Sequence, residues 1–104
     1  MITLLLPLLT ALTPALALPP TMPDPCSFYR ERESEMRCGP KGYLLDFGYR
    51  FCTLFDRNAG RLSPRGQDWM VHTRECLIRA LKATGPTSCS KLPAIAQIHH
   101  VACY

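Results

Sequence analysis

The sequence has no closely spaced pair of cysteines, although six of its 104 residues are cysteine. It contains no C-x-x-C motif and no adjacent Cys-Cys step, and the two nearest cysteines, Cys26 and Cys38, lie twelve positions apart. Structural zinc sites and thioredoxin-type redox sites both depend on closely spaced cysteines. We therefore expect neither kind of site in this protein, and no cofactor.

Charged residues are missing from the first part of the chain, where none precedes Asp24. Residues 1–17 form a leucine-rich segment that ends in the small-x-small step of a secretory signal peptide. Two prolines interrupt this segment, and it is shorter than the ~20 apolar residues that a membrane span needs. We predict a signal peptide over residues 1–17 that is cleaved after Ala17, and a secreted, extracellular protein with no membrane span in its mature chain.

The mature chain is too short to be stabilised by a large core. At ~1.5 kcal/mol per residue, ordering it costs on the order of 130 kcal/mol, which a single small core barely offsets. Six cysteines behind a signal peptide indicate three disulfides, worth ~2–4 kcal/mol each. We expect one helical, disulfide-rich domain over residues 26–104, preceded by a proline-rich, mobile leader over residues 18–25.

Alternating strand patterns are also absent, whereas apolar residues recur at helical spacing. The spacing predicts helices over residues 27–37, 43–57, 64–83 and 90–100, and an all-α fold, a small disulfide-stapled helix bundle of about four helices. The residues that share one face of each predicted helix are Phe28, Tyr29, Arg32 and Met36 in the first, Leu44, Phe47, Gly48, Phe51, Cys52, Leu54 and Phe55 in the second, Trp69, Thr73, Cys76, Leu77, Ala80 and Leu81 in the third, and Leu92, Ile95, Ala96 and His99 in the fourth.

Two positions carry local structural information. Ser63 followed by Pro64 predicts a helix start, with the serine as N-cap and the proline in the first helical position. Gly48 lies within the apolar face of the second helix, where the missing side chain would let a neighbouring helix approach closely. The alternative is a break in the helix at Gly48.

Catalytic arrangements are missing as well. A nucleophilic serine or cysteine needs a nearby histidine that is held by a carboxylate, and the sequence has no G-x-S-x-G motif and no His-Asp step of the phospholipase type. His99 and His100 diverge by about 100° on a helix, which disfavours a shared metal ion, although His72 with one of them stays open. We expect His99 at the core edge with a hydrogen bond, His100 in solvent, no catalytic or metal site, and no enzyme.

The chain carries twelve basic against eight acidic residues, a formal net charge of +4. The basic residues are dispersed along the chain, whereas nucleic-acid binding favours clusters with interleaved aromatics, so we expect no nucleic-acid partner. Attraction to anionic membranes is physically allowed. A cationic, disulfide-rich host-defence peptide that acts on membranes is therefore the alternative function.

Val71 and Ile78 lie seven residues apart on the otherwise charged side of the third predicted helix. We predict that this short apolar line is a partner surface. The alternative is that these are scattered surface residues, or residues that contact the first helix.

The residues around four cysteines resemble the N-terminal half of the stanniocalcins, which are secreted glycoprotein hormones of calcium and phosphate balance. The similar residues are Phe51-Cys52-Thr53-Leu54-Phe55, Gly66-Gln67, Thr73-Arg74-Glu75-Cys76-Leu77, Ser88-Cys89 and Cys103-Tyr104. The resemblance covers roughly residues 38–104 and implies a secreted, hormone-type signalling or interaction protein that acts through a cell-surface partner. The family's glycosylation sequon and the half that carries its chain-linking cysteine have no counterpart here, so we expect no covalent dimer, while a non-covalent dimer stays open.

The disulfide between Cys76 and Cys103 is predicted on two grounds. Antiparallel packing of the third and fourth helices across the turn at residues 85–86 would bring these cysteines together, and the stanniocalcin resemblance implies the same pairing. For the other four cysteines, we expect Cys38–Cys52, which closes a compact loop, and hence Cys26–Cys89. Cys26–Cys52 with Cys38–Cys89 is sterically as reasonable, since six cysteines allow 15 pairings.

Overall fold

Four α-helices and three disulfides build the part of the chain that the computed structural model describes, residues 23–104. The α-helices are α1 (Ser27–Met36), α2 (Arg50–Arg57), α3 (Pro64–Thr84) and α4 (Leu92–Cys103). Within these residues there is no strand, and the predicted all-α fold is confirmed. The predicted signal peptide and residues 18–22 of the predicted leader lie outside the described residues.

The second predicted helix begins with π-helical turns. Residues Tyr43–Tyr49 form a π-helix that runs directly into α2, so the helix does not break at Gly48. Gly48 is buried, and a Cβ atom at this position would overlap the ring of Tyr29 in α1. The close approach of a neighbouring helix at this glycine is therefore confirmed.

The ends of α1 and α3 follow from local chemistry. Arg37 adopts a left-handed conformation (φ 53°) that ends α1, and the Glu33 carboxylate accepts hydrogen bonds from the backbone N–H groups of Cys38 and Gly39 at 3.2 and 2.8 Å. At the start of α3, the Ser63 hydroxyl oxygen accepts a hydrogen bond from the Gly66 N–H at 3.1 Å, as its N-cap role predicts.

The buried core lies where α1 and the π-helix meet the ends of α3 and α4. Its members are Phe28, Tyr29, Leu44, Leu81 and Leu92, with Met36, Tyr43, Tyr49, Cys52 and Ile78 packed against them. The face predicted for α1 is confirmed, because its first three members are buried and the fourth packs against the core.

Arg32 is the charged member of that face, and its burial has a structural explanation. Its guanidinium donates a hydrogen bond to the carbonyl oxygen of Leu81 at 3.3 Å and lies over the ring of Phe28, 4.9 Å from the centroid. A positive charge is favourable beside the carbonyl groups of the last turn of a helix. Arg32 thereby connects α1 to the C-terminal end of α3.

The faces predicted for α2 and α3 are only partly buried. Phe47, Leu54, Phe55 and Trp69 are 42 to 49% exposed, and the inward position assigned to Trp69 belongs instead to Met70. In the second predicted helix, the wider turns of the π-helix shift the phase of the residues that follow it in α2. In α3, the predicted residues Thr73, Leu77 and Leu81 are buried, and Met70 takes the place expected of Trp69.

The disulfides connect the helices in an interleaved order. The bridges are Cys26–Cys52, Cys38–Cys89 and Cys76–Cys103. The third bridge is the predicted one, whereas the predicted pairs Cys38–Cys52 and Cys26–Cys89 are wrong, and the alternative pairing holds. Because α1 packs antiparallel to the helix that follows it, Cys26, directly before α1, meets Cys52 in α2. Cys38, two residues after α1, pairs with Cys89 just before α4.

The fourth helix begins two residues later than predicted and continues to Cys103. Its buried residues are Leu92 and Ala96, while Ile95 and His99 are half-buried. The bridge to α3 holds the last turn in place, so the helix extends beyond His100, where the sequence pattern predicted its end.

Candidate functional site

Four aromatic side chains follow one another at one-turn intervals on the helix from Tyr43 to Arg57: Tyr43, Phe47, Phe51 and Phe55. The ring centroids of Tyr43 and Phe47 are 5.4 Å apart, and those of Phe47 and Phe51 are 4.8 Å apart. Both distances fall within the ~4.5–7 Å range of attractive aromatic pairs. We call these four residues the aromatic ladder.

Two rings from the C-terminal end connect the aromatic ladder to α3. His100 lies 5.5 Å from Phe47 and 5.4 Å from Tyr104, measured between ring centroids. Tyr104 in turn meets Trp69 edge to face at 5.6 Å. Because Cys103 is bridged to α3, this chain of rings closes one end of the space between the ladder and α3.

The space between the ladder and α3 is a groove of about 250 Å³. Its base is formed by buried residues, which include Tyr29, Gly48, Met70, Thr73 and Leu77. We call the cavity the aromatic groove; besides this base it is lined by the ladder, Cys52, Trp69, Arg74, His100 and Tyr104.

The rim of the aromatic groove is largely open to solvent. Phe47 is 42% exposed, Trp69 48%, Phe55 49% and Tyr104 65%. Isolated exposed apolar residues are common, but a contiguous patch of large ones marks interaction sites in soluble proteins. The groove is the feature of the described residues that best fits a binding role.

Two polar side chains of the groove, Tyr43 and His100, lie where burial favours their uncharged forms. The Tyr43 hydroxyl lies 3.2 Å from Nε2 of His100, within hydrogen-bond distance. Burial raises the pKa of Tyr43 well above its ordinary value. Burial also lowers the pKa of His100, and His99 beside it adds to that shift. His100 is half-buried and lines the groove, so the prediction that it lies in solvent is wrong.

One charged residue, Arg74, lines the groove, and a second arginine lies beside the ladder. Arg74 lines the groove and donates a hydrogen bond to Oδ1 of Asp56 at 3.2 Å, which links α3 to α2. The guanidinium of Arg50 lies 5.6 Å from the ring centroid of Phe51 in the ladder. Arg50 also pairs with the carboxylate of Asp46 at 3.8 Å, one turn earlier on the same helix.

Val71 and Ile78, the residues of the predicted partner surface, lie outside the aromatic groove. Ile78 is half-buried and packs against the core cluster that contains Phe28 and Tyr29 of α1, which agrees with the alternative of contact with the first helix. Val71 is half-buried on α3. Sequence reasoning missed the groove because it assigned the exposed aromatics to the core; the run of four aromatics at one-turn spacing is the pattern that would have indicated it.

The three histidines lie apart from any cluster of metal ligands. His72 Nδ1 donates to the carbonyl oxygen of Asp68 at 2.8 Å, and His99 lies 3.0 Å from the hydroxyl of Thr84, in the half-buried, hydrogen-bonded position expected for it. Within residues 23–104, no three His, Cys, Asp or Glu side chains are grouped so that they could hold a metal ion.

All six cysteines of the described part are bridged within the chain. In the same part, none of the helices combines the length and the apolar character that crossing a membrane requires. No family model, curated protein or solved structure matches this chain.

Proposed function

We propose that the protein is a secreted, stanniocalcin-like signalling or interaction protein that binds a cell-surface protein partner through the aromatic groove. The observation that carries the proposal is the half-exposed rim of large aromatic residues around that groove. Apolar area that stays in contact with water forgoes ~25 cal/mol per Å² of stabilisation. A partner that covers the rim would recover this free energy on binding.

The composition of the groove supports a protein partner. Interfaces between proteins are enriched in Trp, Tyr, Phe, Met and Arg, and depleted in Lys, Glu and Asp, relative to the rest of the surface. The groove holds Trp69 and Arg74 in one wall, the aromatic ladder in the other, and Met70 in its base. Trp, Tyr and Arg are also the residues that dominate binding energies at such interfaces.

The disulfides support a preformed binding site. Cys26–Cys52 ties the helix of the ladder to the start of α1, and Cys76–Cys103 ties α3 to the end of α4 beside Tyr104. Both walls and the closed end are thus covalently anchored. A site held in its binding conformation loses less conformational entropy when a partner binds.

A cell-binding measurement tests the proposal. The oxidised, fluorescently labelled protein should bind cells that carry the partner in a saturable manner, and Phe47→Ser with Phe55→Ser should weaken this binding by at least tenfold. Ile98→Ser with Val101→Ser is the matched control, since both residues are highly exposed on α4 outside the groove (68 and 74%). Unchanged binding of the groove variant would contradict the proposal.

Secretion is tested separately. N-terminal sequencing of protein recovered from the medium should begin at Leu18, within two residues. Retention of the chain in the membrane fraction with Met1 intact would contradict a cleaved signal peptide.

The second candidate, a cationic host-defence peptide, is favoured by one specific observation. Exposed arginines and exposed aromatics occur together around the turn between α2 and α3, at Arg57, Arg61 and Arg65 and at Phe55 and Trp69. This function predicts leakage of anionic vesicles that fades as salt is added, because salt screens the attraction. Leakage at nanomolar protein without saturable cell binding would favour it over the interaction function.

A further inference from the structure

We propose that the segment of the partner that enters the aromatic groove is an acidic amphipathic helix, with apolar residues in the groove and carboxylates against the surrounding arginines. The inference rests on the proposed function and names the kind of partner. Three properties of the groove carry it: its open rim, the spacing of its aromatic rings, and the charge of the residues beside it.

The open rim favours a protein segment over a free small molecule. Pockets that enclose drug-sized ligands have volumes of ~300–1,000 Å³ and cover most of the ligand surface. The aromatic groove has about 250 Å³, and its rim residues Phe47, Phe55 and Trp69 remain nearly half exposed. A groove of this size takes up a few large side chains, while the rest of the partner lies over the open rim.

The spacing of the ladder indicates that these side chains come from a helix. Its rings lie one helical turn apart, with centroid distances of 5.4 and 4.8 Å. On a helix that lies along the groove, the side chains at positions i, i+4 and i+7 recur at nearly the same interval, ~5–6 Å. When a hydrophobic groove binds an amphipathic helix, apolar side chains at these positions of the helix pack between the side chains that line the groove.

The charge around the groove indicates that the helix is acidic. The turn between α2 and α3, next to the groove residues Phe55 and Trp69, carries the exposed arginines Arg57, Arg61 and Arg65 against one exposed acid, Asp68. Two other arginines are already paired with acids, Arg74 with Asp56 at 3.2 Å and Arg50 with Asp46 at 3.8 Å. The remaining arginines are exposed, so an acidic partner gains attraction and a faster association rate.

The same charge argues against a second copy of this chain as the occupant. Two copies joined through their grooves would bring two sets of arginines together, and like charges facing each other across an interface cost several kcal/mol. The occupant with complementary chemistry is a different, acidic chain.

The chain carries its own reporter for a binding test, because Trp69 is its single tryptophan and lies in the groove. We would titrate the oxidised protein with a synthetic helix of about four turns that has leucine at positions i, i+4 and i+7 and glutamate elsewhere on its exposed face. The emission of Trp69 should change saturably, and the affinity should fall as salt is added. A control peptide with lysine in place of every glutamate should bind at least tenfold more weakly.

Matched variants of the protein locate the site. Arg65→Glu, one turn before Trp69 on α3, should weaken the acidic peptide about tenfold, whereas Arg79→Glu, which is exposed on α3 outside the groove, should not. Phe47→Ser should abolish the change in emission, and circular dichroism verifies that each variant keeps its helices.

The other occupants give distinct results, each of which would overturn the inference. A saturable change with dodecanoate alone would identify a small amphiphile, and a change only with phosphatidylglycerol vesicles would identify a membrane surface. A concentration-dependent dimer in sedimentation experiments that blocks the peptide would identify a second copy. Equal binding of the glutamate and lysine peptides would remove the charge argument. If the cell-binding effect of the groove variant persists while the acidic peptide fails to bind, the proposed function stands and this inference alone is wrong.

Discussion

The two sides of the helix that runs from Tyr43 to Arg57 use similar residues for different purposes. On one side, Leu44 and Gly48 are buried against α1, where the ring of Tyr29 occupies the space that a Cβ on the glycine would need. On the other side, Phe47 and Phe55 line a groove and remain over 40% exposed. The comparison teaches that in this small domain apolar character does not distinguish core from binding surface. The distinction depends on which neighbour covers each residue.

The sharpest way to test this comparison is a pair of substitutions on the same helix. Leu44→Ala removes a completely buried side chain and should lower the free energy of unfolding by ~2–5 kcal/mol, since it leaves a cavity. Phe47→Ala, three residues further on, should cost about 1 kcal/mol because its ring is partly in solvent. Urea unfolding followed by circular dichroism measures both. Equal losses would mean that Phe47 belongs to the core.

The next largest effect concerns the Cys38–Cys89 bridge, which joins the segment after α1 to the segment before α4. Replacing Cys38 and Cys89 together with serine removes the disulfide of greatest sequence separation, 51 residues, and should lower stability by ~2–4 kcal/mol. Non-reducing mass mapping of the variant should still recover Cys26 linked to Cys52 and Cys76 linked to Cys103. Recovery of any other pair would contradict the connectivity described above.

A smaller effect is expected at the start of α3, the helix shared by core and groove. Ser63→Ala removes the hydroxyl that accepts the Gly66 N–H at 3.1 Å and should cost about 1 kcal/mol in thermal or urea unfolding. Ser63→Asp, which keeps an acceptor, is the matched control and should be close to the wild type. A loss of the same size in both variants would argue against a capping role.

The smallest effect is a pH dependence confined to the groove. The pKa of His100 is lowered in the folded state because burial disfavours its charged form, so the unfolded chain binds its proton more readily. Stability should therefore fall as the pH drops from 7 through the ordinary histidine pKa of ~6.5. His100→Gln should flatten this dependence, and His72→Gln, whose side chain is exposed, should leave it unchanged. An unchanged slope in His100→Gln would contradict the assignment.

Much of the fold could be predicted from the sequence because its determinants are local. Ser63 and Pro64 define the start of α3, the apolar spacing of Phe28 and Tyr29 defines the buried face of α1, and the missing side chain of Gly48 indicates a close contact. Each of these features depends on residues within a turn or two of one another.

The parts that escaped prediction depend on contacts between distant segments. The pairing of four cysteines follows from the antiparallel packing of α1 against the next helix, which spacing along the chain does not determine. Trp69 was assigned to the core because a helical wheel does not show which neighbouring elements cover each side of α3. Since aromatic residues serve both cores and interfaces, the groove could be recognised only once their exposure was known.

The interleaving of the disulfides has a consequence for the chain after cleavage. The bridges overlap along the sequence, so a single cut at any peptide bond between Cys26 and Cys103 leaves two pieces that are still joined covalently. A trypsin-like protease would attack the exposed turn that carries Arg57 and Arg61. The two pieces produced by a cut there are joined by one bridge alone, Cys38–Cys89. A nicked molecule would therefore keep both walls of its groove in one covalent unit, and its persistence would depend on that single bond.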